Sequence, residues 1–230
     1  MQILLSLLAL AVAYILGSIP FGLLIVRLFT GKDVRQIESG RTGGTNVLRA
    51  AGFWAAFFTI VFDVGKGILA VWLAKNILPD FYWMHVLSGT FVIIGHNHSI
   101  FLPDYDENGK FIRLRGGAGG TPALGAAIGL WGLSSLIILL VGAIFFFTLG
   151  YASIATLSVP TAAMVIFGIK YMIDPTNNPF EYAAFGLIAL VLLSLALRPN
   201  FVKLKNGTER VIPISLHHYL KKKKETDQTN

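Results

Sequence analysis

The sequence predicts an all-α fold: a polytopic membrane protein with seven membrane-embedded helices, its N-terminus outside and its C-terminus in the cytoplasm. Hydrophobic residues make up 54% of the 230 residues and charged residues 13%, whereas soluble globular domains carry roughly 25% charged residues. No Asp, Glu, Lys or Arg occurs between Arg115 and Lys170. A charge-free stretch of that length is typical of helices that lie in a bilayer.

The same composition excludes several other classes of protein. The chain is too hydrophobic for intrinsic disorder, and it has neither the glycine period of collagen nor sustained heptads. It contains no cysteine, which rules out a disulfide scaffold and thiolate chemistry. The net charge of +7 is spread over several loops, as in the cytoplasmic loops of membrane proteins, so we expect no nucleic-acid partner.

The first apolar run, residues 3–28, has no basic residue before it, whereas Arg27, Lys32 and Arg35 stand at its end or follow it. A cleavable signal peptide has the reverse charge order. We therefore predict a permanent helix, with the N-terminus outside and the loop 29–49 in the cytoplasm.

Apolar runs at 50–78 and 81–102 predict the second and third helices, and the apolar region 121–150 follows. That region holds 30 residues, more than the roughly 20 that one span needs. If it crossed once, two later helices would leave the basic tail outside, against the positive-inside pattern. A fold-back near 129–132, as two short passes or a re-entrant pair, keeps the tail in the cytoplasm. The later helices are predicted at 154–172 and 180–197.

The resulting count of seven helices gives one membrane domain, 1–212, followed by a basic cytoplasmic tail, 213–230. Sixteen of the 19 basic residues then lie on the cytoplasmic side. The other three are Lys66, Lys75 and Lys170. The lysine run at 221–224 is expected to attract anionic lipid headgroups.

The first cytoplasmic loop, at residues 39–49, combines groups that suit a phosphate. Its glycines let the backbone approach a ligand, its hydroxyls and amide add donors, and Arg49 offers a planar charged fork. If Thr45 or Asn46 begins the next helix, the free N–H groups of that helix strengthen the site. The alternative is an N-capped loop whose glycines serve tight turns only.

A second basic and glycine-rich segment, 113–121, opens the fourth helix after a histidine pair and an acidic insertion. Two such segments on one membrane face indicate a shared anionic ligand. The pair His96 and His98 has no third ligand at a recognisable spacing, so no metal site is predicted. The loop context makes His96 a candidate for proton handling, whereas His98 is expected to be an interfacial histidine.

Two ionisable residues, Asp63 and Lys66, stand at i, i+3 inside the second helix and therefore on one face of it. Such residues are costly inside a span and usually face a polar interior. They form either a mutually neutralising pair that orients the helix or a part of the chemistry. A third polar segment follows the last helix and contains Asn200 and Glu209.

Further motifs accompany these residues along the chain. The full set is Gly17-Ser18-Ile19-Pro20-Phe21-Gly22, Asp33-Val34-Arg35, the loop 39–49, Asp63-x-x-Lys66-Gly67, Gly95-His96, the segment 116–125, Tyr151-x-Ser153 and Asn206-Gly207-Thr208-Glu209. In joint order and spacing, the set resembles the bacterial membrane acyl-phosphate:glycerol-3-phosphate acyltransferases. The resemblance covers nearly the whole chain up to about Arg210.

This resemblance implies seven membrane helices and an active site that three loops build on the cytoplasmic face of a bacterial cell membrane. The implied reaction moves a fatty acyl group from acyl phosphate to the 1-hydroxyl of glycerol 3-phosphate and forms lysophosphatidic acid. Because acyl phosphate is already an activated mixed anhydride, neither an acyl-enzyme nor a cofactor is required. The implied partners are both substrates and membrane lipids, and a monomer is the working expectation.

By motif match, the resemblance also implies roles for individual residues. The implied catalytic residues are Ser39, His96 and Asn200. The implied substrate-binding residues are Gly43, Thr45, Asn46, Arg49, Arg115, Gly116, Gly117, Gly119 and Glu209. Their task is to position two phosphates and to stabilise the developing oxyanion.

The chain also departs from the family pattern. The departures are Arg41 for Asn, Gly44 for Ala, Ala118 for Lys, Pro122 for Thr, and an insertion at 103–109. The most consequential is Ala118, because the expected Lys binds phosphate. Arg41, or Arg113 and Arg115, could restore the charge, although Arg presents a rigid fork where Lys presents a compact ammonium.

Two alternatives to the standard acyltransferase therefore stay open. One is a divergent family member with an altered acceptor or weakened catalysis. The other is a small anion transporter, which the intramembrane Asp63 and Lys66 and the broken apolar region would suit.

Overall fold

The computed structural model describes residues 1–229, apart from the side chains of residues 133, 134 and 224–229. Over these residues the chain is mostly helical. Its helices are α1 (Gln2–Ser18), α2 (Phe21–Thr30), α3 (Gly44–Ile77), α4 (Tyr82–Asn97), α5 (Gly120–Trp131), α6 (Leu136–Thr148), α7 (Ala152–Ile173), α8 (Phe180–Ala196), α9 (Arg198–Lys205) and α10 (Leu216–Thr229). The strands are β1 (Pro103–Tyr105) and β2 (Phe111–Leu114), and 3-10 turns lie at Val34–Gln36 and Gly132–Ser135.

The first apolar run forms two helices, with α1 ending at Ser18 and α2 beginning at Phe21. Pro20 causes the break, because it has no N–H to donate and disfavours the helical conformation of the residue before it. Ile19 accordingly has a ψ of 116°. The prediction of one continuous helix is therefore wrong, although the pair Gln2–Thr30 is long and apolar enough to cross a membrane.

The helix α3 begins at Gly44, six residues before the predicted start at 50, so the end of the predicted loop 29–49 is helical. It is interrupted at Gly52, whose φ of 82° and ψ of −173° are not helical. A positive φ of this kind favours glycine, which has no Cβ to clash with the backbone. The break gives the short segment 44–51 a direction of its own.

The acidic insertion forms a β-hairpin, which the all-α prediction did not include. Its strands β1 and β2 pair antiparallel, with Pro103 opposite Leu114. A side-chain oxygen of Asp106 accepts a hydrogen bond from Asn108 N at 2.9 Å, as in turns that aspartate favours. The preceding helix α4 correspondingly ends at Asn97 rather than near 102.

The charge-free region is interrupted where the sequence predicts, near 129–132. The helix α5 ends at Trp131, Gly132 has a φ of 56°, and a 3-10 turn leads into α6 at Leu136. With 12 and 13 residues, α5 and α6 are each about 18 to 20 Å long, shorter than the roughly 30 Å hydrocarbon core of a bilayer. The predicted interruption is confirmed.

Contacts between helix ends define two ends of the bundle. At one end, Arg41 Nη2, in the loop before α3, donates to Ala196 O at the end of α8, at 2.7 Å. At the opposite end, Lys75 Nζ, near the end of α3, donates to Leu130 O near the end of α5, at 2.6 Å. Gly150 O, between α6 and α7, accepts from Ile212 N at the first end, and Lys170 Nζ, near the end of α7, lies over the Trp131 ring at the opposite end. Consecutive helices from α3 to α8 thus run in alternating directions. The first end, called the loop end below, holds residues 39–43, 115–119, 149–151 and 197–215.

The surface of the bundle fits a membrane environment. Many large apolar side chains are exposed, among them Leu4, Trp54, Leu140 and Val191. Within the described residues, three stretches are long and apolar enough to cross a membrane, namely Gln2–Thr30, α3 and α7. The pair α8 and α9, bent by 66°, would make a fourth. The count of seven membrane-embedded helices stays a prediction.

Replacing Gly52 with Ala should destabilise the protein even though a side chain has room. A Cβ at Gly52 meets no atom within 4 Å, so the cost of about 1–3 kcal/mol comes from the backbone alone, whose positive φ and extended ψ are nearly exclusive to glycine. Gly65→Ala is the matched control, because Gly65 is also exposed and uncrowded in α3 but has a helical backbone. Thermal unfolding in detergent should give a lower midpoint for Gly52→Ala, and equal midpoints would contradict this account.

Candidate active site

A cavity of about 360 Å³ lies at the loop end between α3, α5, α6 and α7. Part of its wall is polar and comes from loops and helix ends, and part is apolar and comes from the helices. The polar lining includes Ser39, Arg41, Thr45, Arg49, Ser153 and Asn200. The apolar lining includes Phe53, Phe57, Leu139, Phe146, Phe147 and Val159. The cavity is therefore amphipathic.

The apolar part of the cavity reaches the outer surface of the bundle. Phe53 and Phe147 line the cavity, and yet they are 60% and 51% exposed. On a bundle that is apolar on its outside, side chains of this kind border a lateral opening toward lipid. The apolar part of the cavity is therefore accessible from the outer surface of the bundle.

The buried side chain of Asn46 holds the first loop in place. Its Nδ2 lies within hydrogen-bonding distance of three backbone carbonyls of residues 34–41, at 2.9 to 3.1 Å. Its Oδ1 is buried and has no hydrogen-bond partner among the described residues. Gly43, which directly precedes α3, and Thr45 line the cavity beside Asn46.

Two arginines bring positive charge to the polar part of the cavity. The hydrogen bond from Arg41 Nη2 to Ala196 O fixes the Arg41 guanidinium against α8. Burial lowers the pKa of Arg41, but the group stays protonated at neutral pH because its ordinary pKa is so high. Arg49 lies in the short first segment of α3, near the ion pair of Glu38 and Arg210. Two guanidinium groups in one cavity suit phosphate ligands.

The buried carboxylate of Glu209 joins three parts of the chain behind the cavity wall. Its Oε2 accepts a hydrogen bond from Ser153 Oγ at 2.8 Å, and its Oε1 accepts one from Asn200 Nδ2 at 3.1 Å. Ser153 lies at the start of α7 and Asn200 in α9, and both line the cavity. Glu209 thus orients two polar groups of the cavity without being part of its lining.

The second glycine-rich segment divides into a part that lines the cavity and a part behind it. Gly119 lines the cavity together with Ala118. Gly116 and Gly117 instead pack against the end of α4, and Gly117 N donates to His96 O at 2.9 Å. The front of this segment therefore faces a ligand, and its back rests on α4.

Five of the predicted site residues lie outside the cavity lining: Gly116, Gly117 and Glu209, described above, and Arg115 and His96. Arg115 Nη2 donates to Arg35 O at 3.2 Å and to Gly40 O at 3.4 Å, so it connects the first two loops. His96 is 5% exposed, and its Nδ1 lies 2.9 Å from Lys66 Nζ. Arg115 thus contacts the backbone behind the first loop, and His96 contacts Lys66 of α3, and neither side chain lines the cavity.

Sequence reasoning missed several lining residues. Ser153 entered only as part of a motif, and Thr156 and Ile214, which also line the cavity, carry no local signal. The apolar wall from α6 was not predicted either, because cavity-lining and lipid-facing positions of that helix are equally apolar. Among the described side chains, no group of three or more His, Asp or Glu residues could hold a metal ion.

The fold and the site define a multi-helix membrane protein with an amphipathic, positively charged cavity at one end of its bundle. The glycerol-3-phosphate acyltransferase family model matches residues 7–207, and the chain belongs to that family. Glycerol-3-phosphate acyltransferases from Synechococcus sp. and Prochlorococcus marinus are 36% and 35% identical to it over 208 and 211 residues. The first alignment covers 89% of this chain and 94% of the relative, and the second covers 90% and 97%.

Two crystal structures of PlsY, an integral membrane glycerol 3-phosphate acyltransferase, are similar to this chain. One is the glycerol 3-phosphate form, with a TM-score of 0.75 at 26% identity, and the other is the lysophosphatidic acid form, with a TM-score of 0.74 at 25% identity. Each similarity covers 90% of this chain and 94% of the other. The chain therefore has the fold of an integral membrane acyltransferase.

Glu209→Gln should destabilise the loop end. A glutamine has one acceptor oxygen, which can keep Asn200 Nδ2, and its amide must instead donate to Ser153 Oγ, so two hydrogen bonds to a carboxylate become weaker neutral ones, at a cost of about 1 kcal/mol each. Glu107→Gln is the matched control, because it makes the same change at an exposed position of the β-hairpin. Thermal unfolding in detergent should separate the two variants, and equal midpoints would show that the hydrogen bonds of Glu209 contribute nothing.

Proposed function

We propose that the protein transfers a fatty acyl group from acyl phosphate to the 1-hydroxyl of glycerol 3-phosphate and forms lysophosphatidic acid. The observation that carries this proposal is the amphipathic cavity, in which Arg41 and Arg49 border a polar part continuous with an apolar groove. Acyl phosphate has the same division, because a phosphate is joined to a long apolar chain. The two ligand forms of PlsY support the acceptor and the product.

The reaction requires positioning rather than a covalent intermediate. The 1-hydroxyl oxygen attacks the acyl carbon, the bond between that carbon and the phosphate oxygen breaks, and the hydroxyl proton leaves with the released phosphate. Two anionic substrates must be held side by side while negative charge develops on the acyl oxygen. Positive charge and oriented N–H groups lower the barrier to such a reaction.

We assign the cavity's cations and hydroxyls to substrate binding. Arg41 and Arg49 neutralise the phosphates, for which planar guanidinium groups are well suited. Thr45 and Ser39 donate hydrogen bonds, Thr45 from the first turn of α3 and Ser39 from the loop before it. The Asn46 side chain, through its contacts with three backbone carbonyls, keeps this loop in the conformation that brings the donors together.

The other loops complete the site in the same proposal. Asn200, held by Glu209, presents its amide to the reacting groups, and backbone N–H groups of Gly43 and Gly119 approach the phosphates closely because no side chain intervenes. Arg115, Gly116 and Gly117 support these loops from behind.

Arg41 supplies the charge that the family resemblance expects from a lysine at position 118. Arg41 and Ala118 line the same cavity. Arg113 and Arg115, the other candidates, lie on the hairpin side, with their Nε atoms 3.4 and 3.9 Å from a carboxylate oxygen of Asp104. The position of Arg41 therefore favours it over both.

Purified protein in detergent, given acyl phosphate and glycerol 3-phosphate, should release inorganic phosphate. Arg41→Gln and Arg49→Gln should each lower kcat/KM by about 10²-fold, as expected when one oriented donor to a developing charge is lost. Arg113→Gln is the matched control, because that side chain is 66% exposed and outside the cavity lining. No phosphate release from folded protein with any of several phosphorylated alcohols would contradict acyl transfer.

Ala118→Lys should have opposite effects in two backgrounds. In Arg41→Gln it returns a cation to the cavity, so phosphate release should recover. In the wild type it adds a third cation to a cavity that already holds Arg41 and Arg49, and like charges repel, so activity should fall. A strong rise in the wild type would instead indicate a divergent site with weakened catalysis in which Arg41 does not replace the lysine.

The anion-transporter alternative has less support. Asp63 and Lys66, which suggested it, are buried against each other outside the cavity lining. The interruption at Gly132 lies at the end of the bundle opposite the loop end and not beside the polar part of the cavity. Phosphate flux into liposomes without phosphate release from acyl phosphate would favour transport.

We also propose seven helical passes, with the loop end in the cytoplasm of a bacterial cell. The pair α1 and α2 counts as one pass, and the alternating helices α3 to α8 add six. Basic residues concentrate at the loop end, as the positive-inside rule expects of a cytoplasmic face. They include Arg41, Arg49, Arg115, Arg198 and Arg210.

The tail 213–230 is proposed to lie on the cytoplasmic membrane surface, with its first residues packed on the membrane domain, since Ile214 lines the cavity. In α10 the exposed side chains of Leu216, Tyr219 and Leu220 share one helical face, and lysines follow from residue 221. An apolar face next to basic residues is typical of helices that bind anionic lipid surfaces.

Cysteine labelling tests on which side of the membrane the loop end lies, because the chain has no cysteine of its own. Asn177→Cys, in the exposed loop between α7 and α8, should react with a membrane-impermeant maleimide in intact bacterial cells. Lys110→Cys, in the exposed hairpin at the loop end, should react only after permeabilisation. Labelling of both from the same side would contradict the alternating passes, and the reverse pattern would invert the orientation.

A further inference from the structure

Asp63, Lys66 and His96 form a buried cluster, and in the proposed reaction none of them contacts a substrate. Their side chains are 1%, 3% and 5% exposed. Lys66 Nζ lies 2.8 Å from Asp63 Oδ1 and 2.9 Å from His96 Nδ1, and His96 Nδ1 lies 3.6 Å from Asp63 Oδ1. Charges in an apolar bundle are costly unless the protein supplies their partners. The cluster therefore calls for a role of its own.

One side of the cluster binds the break between α1 and α2. Lys66 Nζ donates to Gly17 O at 2.8 Å and to Ile19 O at 3.2 Å. These carbonyls stand at the end of α1, where the helix breaks and its last carbonyls have no partner within the helix. Lys66 thus joins α1 to α3, and its contact with His96 extends the connection to α4.

The other side of the cluster reaches the second glycine-rich segment. A Cβ built on Gly117 would lie 2.0 Å from His96 Nε2, and its three nearest atoms all belong to the imidazole ring. Gly117 therefore packs directly on this ring, and Gly117 N also donates to His96 O. The next residues, 118–120, line the cavity.

We propose that His96 is a positioning residue: Asp63 and Lys66 hold its ring, and the ring sets the path of residues 117–120 along the cavity wall. His96 then touches Gly117 and not the substrate. The activity readouts for this role rest on the acyl transfer proposed above. A displacement of the wall by about 1 Å is enough to cost on the order of 10²-fold in rate.

A pair of substitutions tests the contact between Gly117 and the His96 ring. Gly117→Ala places a methyl group against the ring and should lower kcat/KM by about 10²-fold. His96→Ala removes the obstacle, so the double variant should be about tenfold more active than Gly117→Ala alone. Such non-additivity is the signature of two groups in direct contact. A double variant no more active than Gly117→Ala would overturn the proposal.

Gly116→Ala is the matched control for this rescue. Its Cβ would meet the backbone atoms His96 O at 2.1 Å and Asn97 O at 2.6 Å, which His96→Ala leaves in place. Its loss of activity should therefore persist in the His96→Ala background. Equal rescue of both glycine variants would show a general loosening of the segment and would overturn the specific contact.

A pH profile separates positioning from proton transfer. His96→Gln keeps a polar side chain of similar size but cannot titrate. If His96 only positions the segment, His96→Gln should raise KM or lower kcat while the pH dependence of kcat/KM keeps its shape. Loss of a limb of that profile near neutral pH would overturn the proposal, because it would make His96 a proton carrier.

Unfolding temperatures keep this proposal distinct from the proposed function. The midpoints of wild type, both single variants and the double variant, measured in detergent without substrate, should show the same rescue of Gly117→Ala by His96→Ala. A wild type that releases no phosphate would overturn acyl transfer alone. Absence of rescue in the unfolding midpoints would overturn the positioning role whatever the activity.

Discussion

The loop end of this bundle depends on one buried ammonium group. Lys66 lies among apolar helices, where each of its N–H groups needs a partner from the protein. The partners come from the broken end of α1, from Asp63 one turn earlier, and from His96 on α4. Because these contacts belong to three helices, they fix the relative positions of those helices just beneath the loops. The break at Pro20 therefore exposes the carbonyls with which the charged Lys66 forms hydrogen bonds.

The cavity above this cluster is composite, since groups that line it are held by parts of the chain other than their own. Glu209 from the C-terminal segment holds Ser153 of α7, and the end of α8 holds Arg41 of the first loop. Arg115 from the second segment contacts backbone carbonyls of the first loop. Loops rich in glycine have little side-chain packing of their own, so these cross-connections supply the order that the proposed acyl transfer requires.

The sequence predicted the parts of this structure that follow from local pattern. Long apolar runs indicated the helices, and the excess length of residues 121–150 indicated the interruption near Gly132. The break at Pro20 was missed because a proline between two apolar segments reads the same whether the helix kinks or ends. The break at Gly52 gave no signal, since a helical glycine and a left-handed glycine look identical in a sequence.

For the site, the sequence indicated loops that line the cavity but not which of their side chains share it. Charge and glycine content pointed to residues 39–49 and 113–121, and family resemblance added Asn200 and Glu209. The sequence could not choose between Arg41 and Arg115 as cavity cations, because that choice depends on tertiary partners. The guanidinium of Arg115 donates hydrogen bonds to carbonyls 75 and 80 residues away in the chain, and that of Arg41 donates one to a carbonyl 155 residues away.

The lateral opening beside Phe53 and Phe147 has a consequence for how the protein meets its ligands. A molecule that enters through it never leaves the lipid, so its effective concentration is its mole fraction in the membrane plane and not its amount per volume of cell. For a small phosphorylated molecule that enters from the loop end, the effective concentration is instead its concentration in the aqueous phase. One cavity thus samples a two-dimensional and a three-dimensional supply at once.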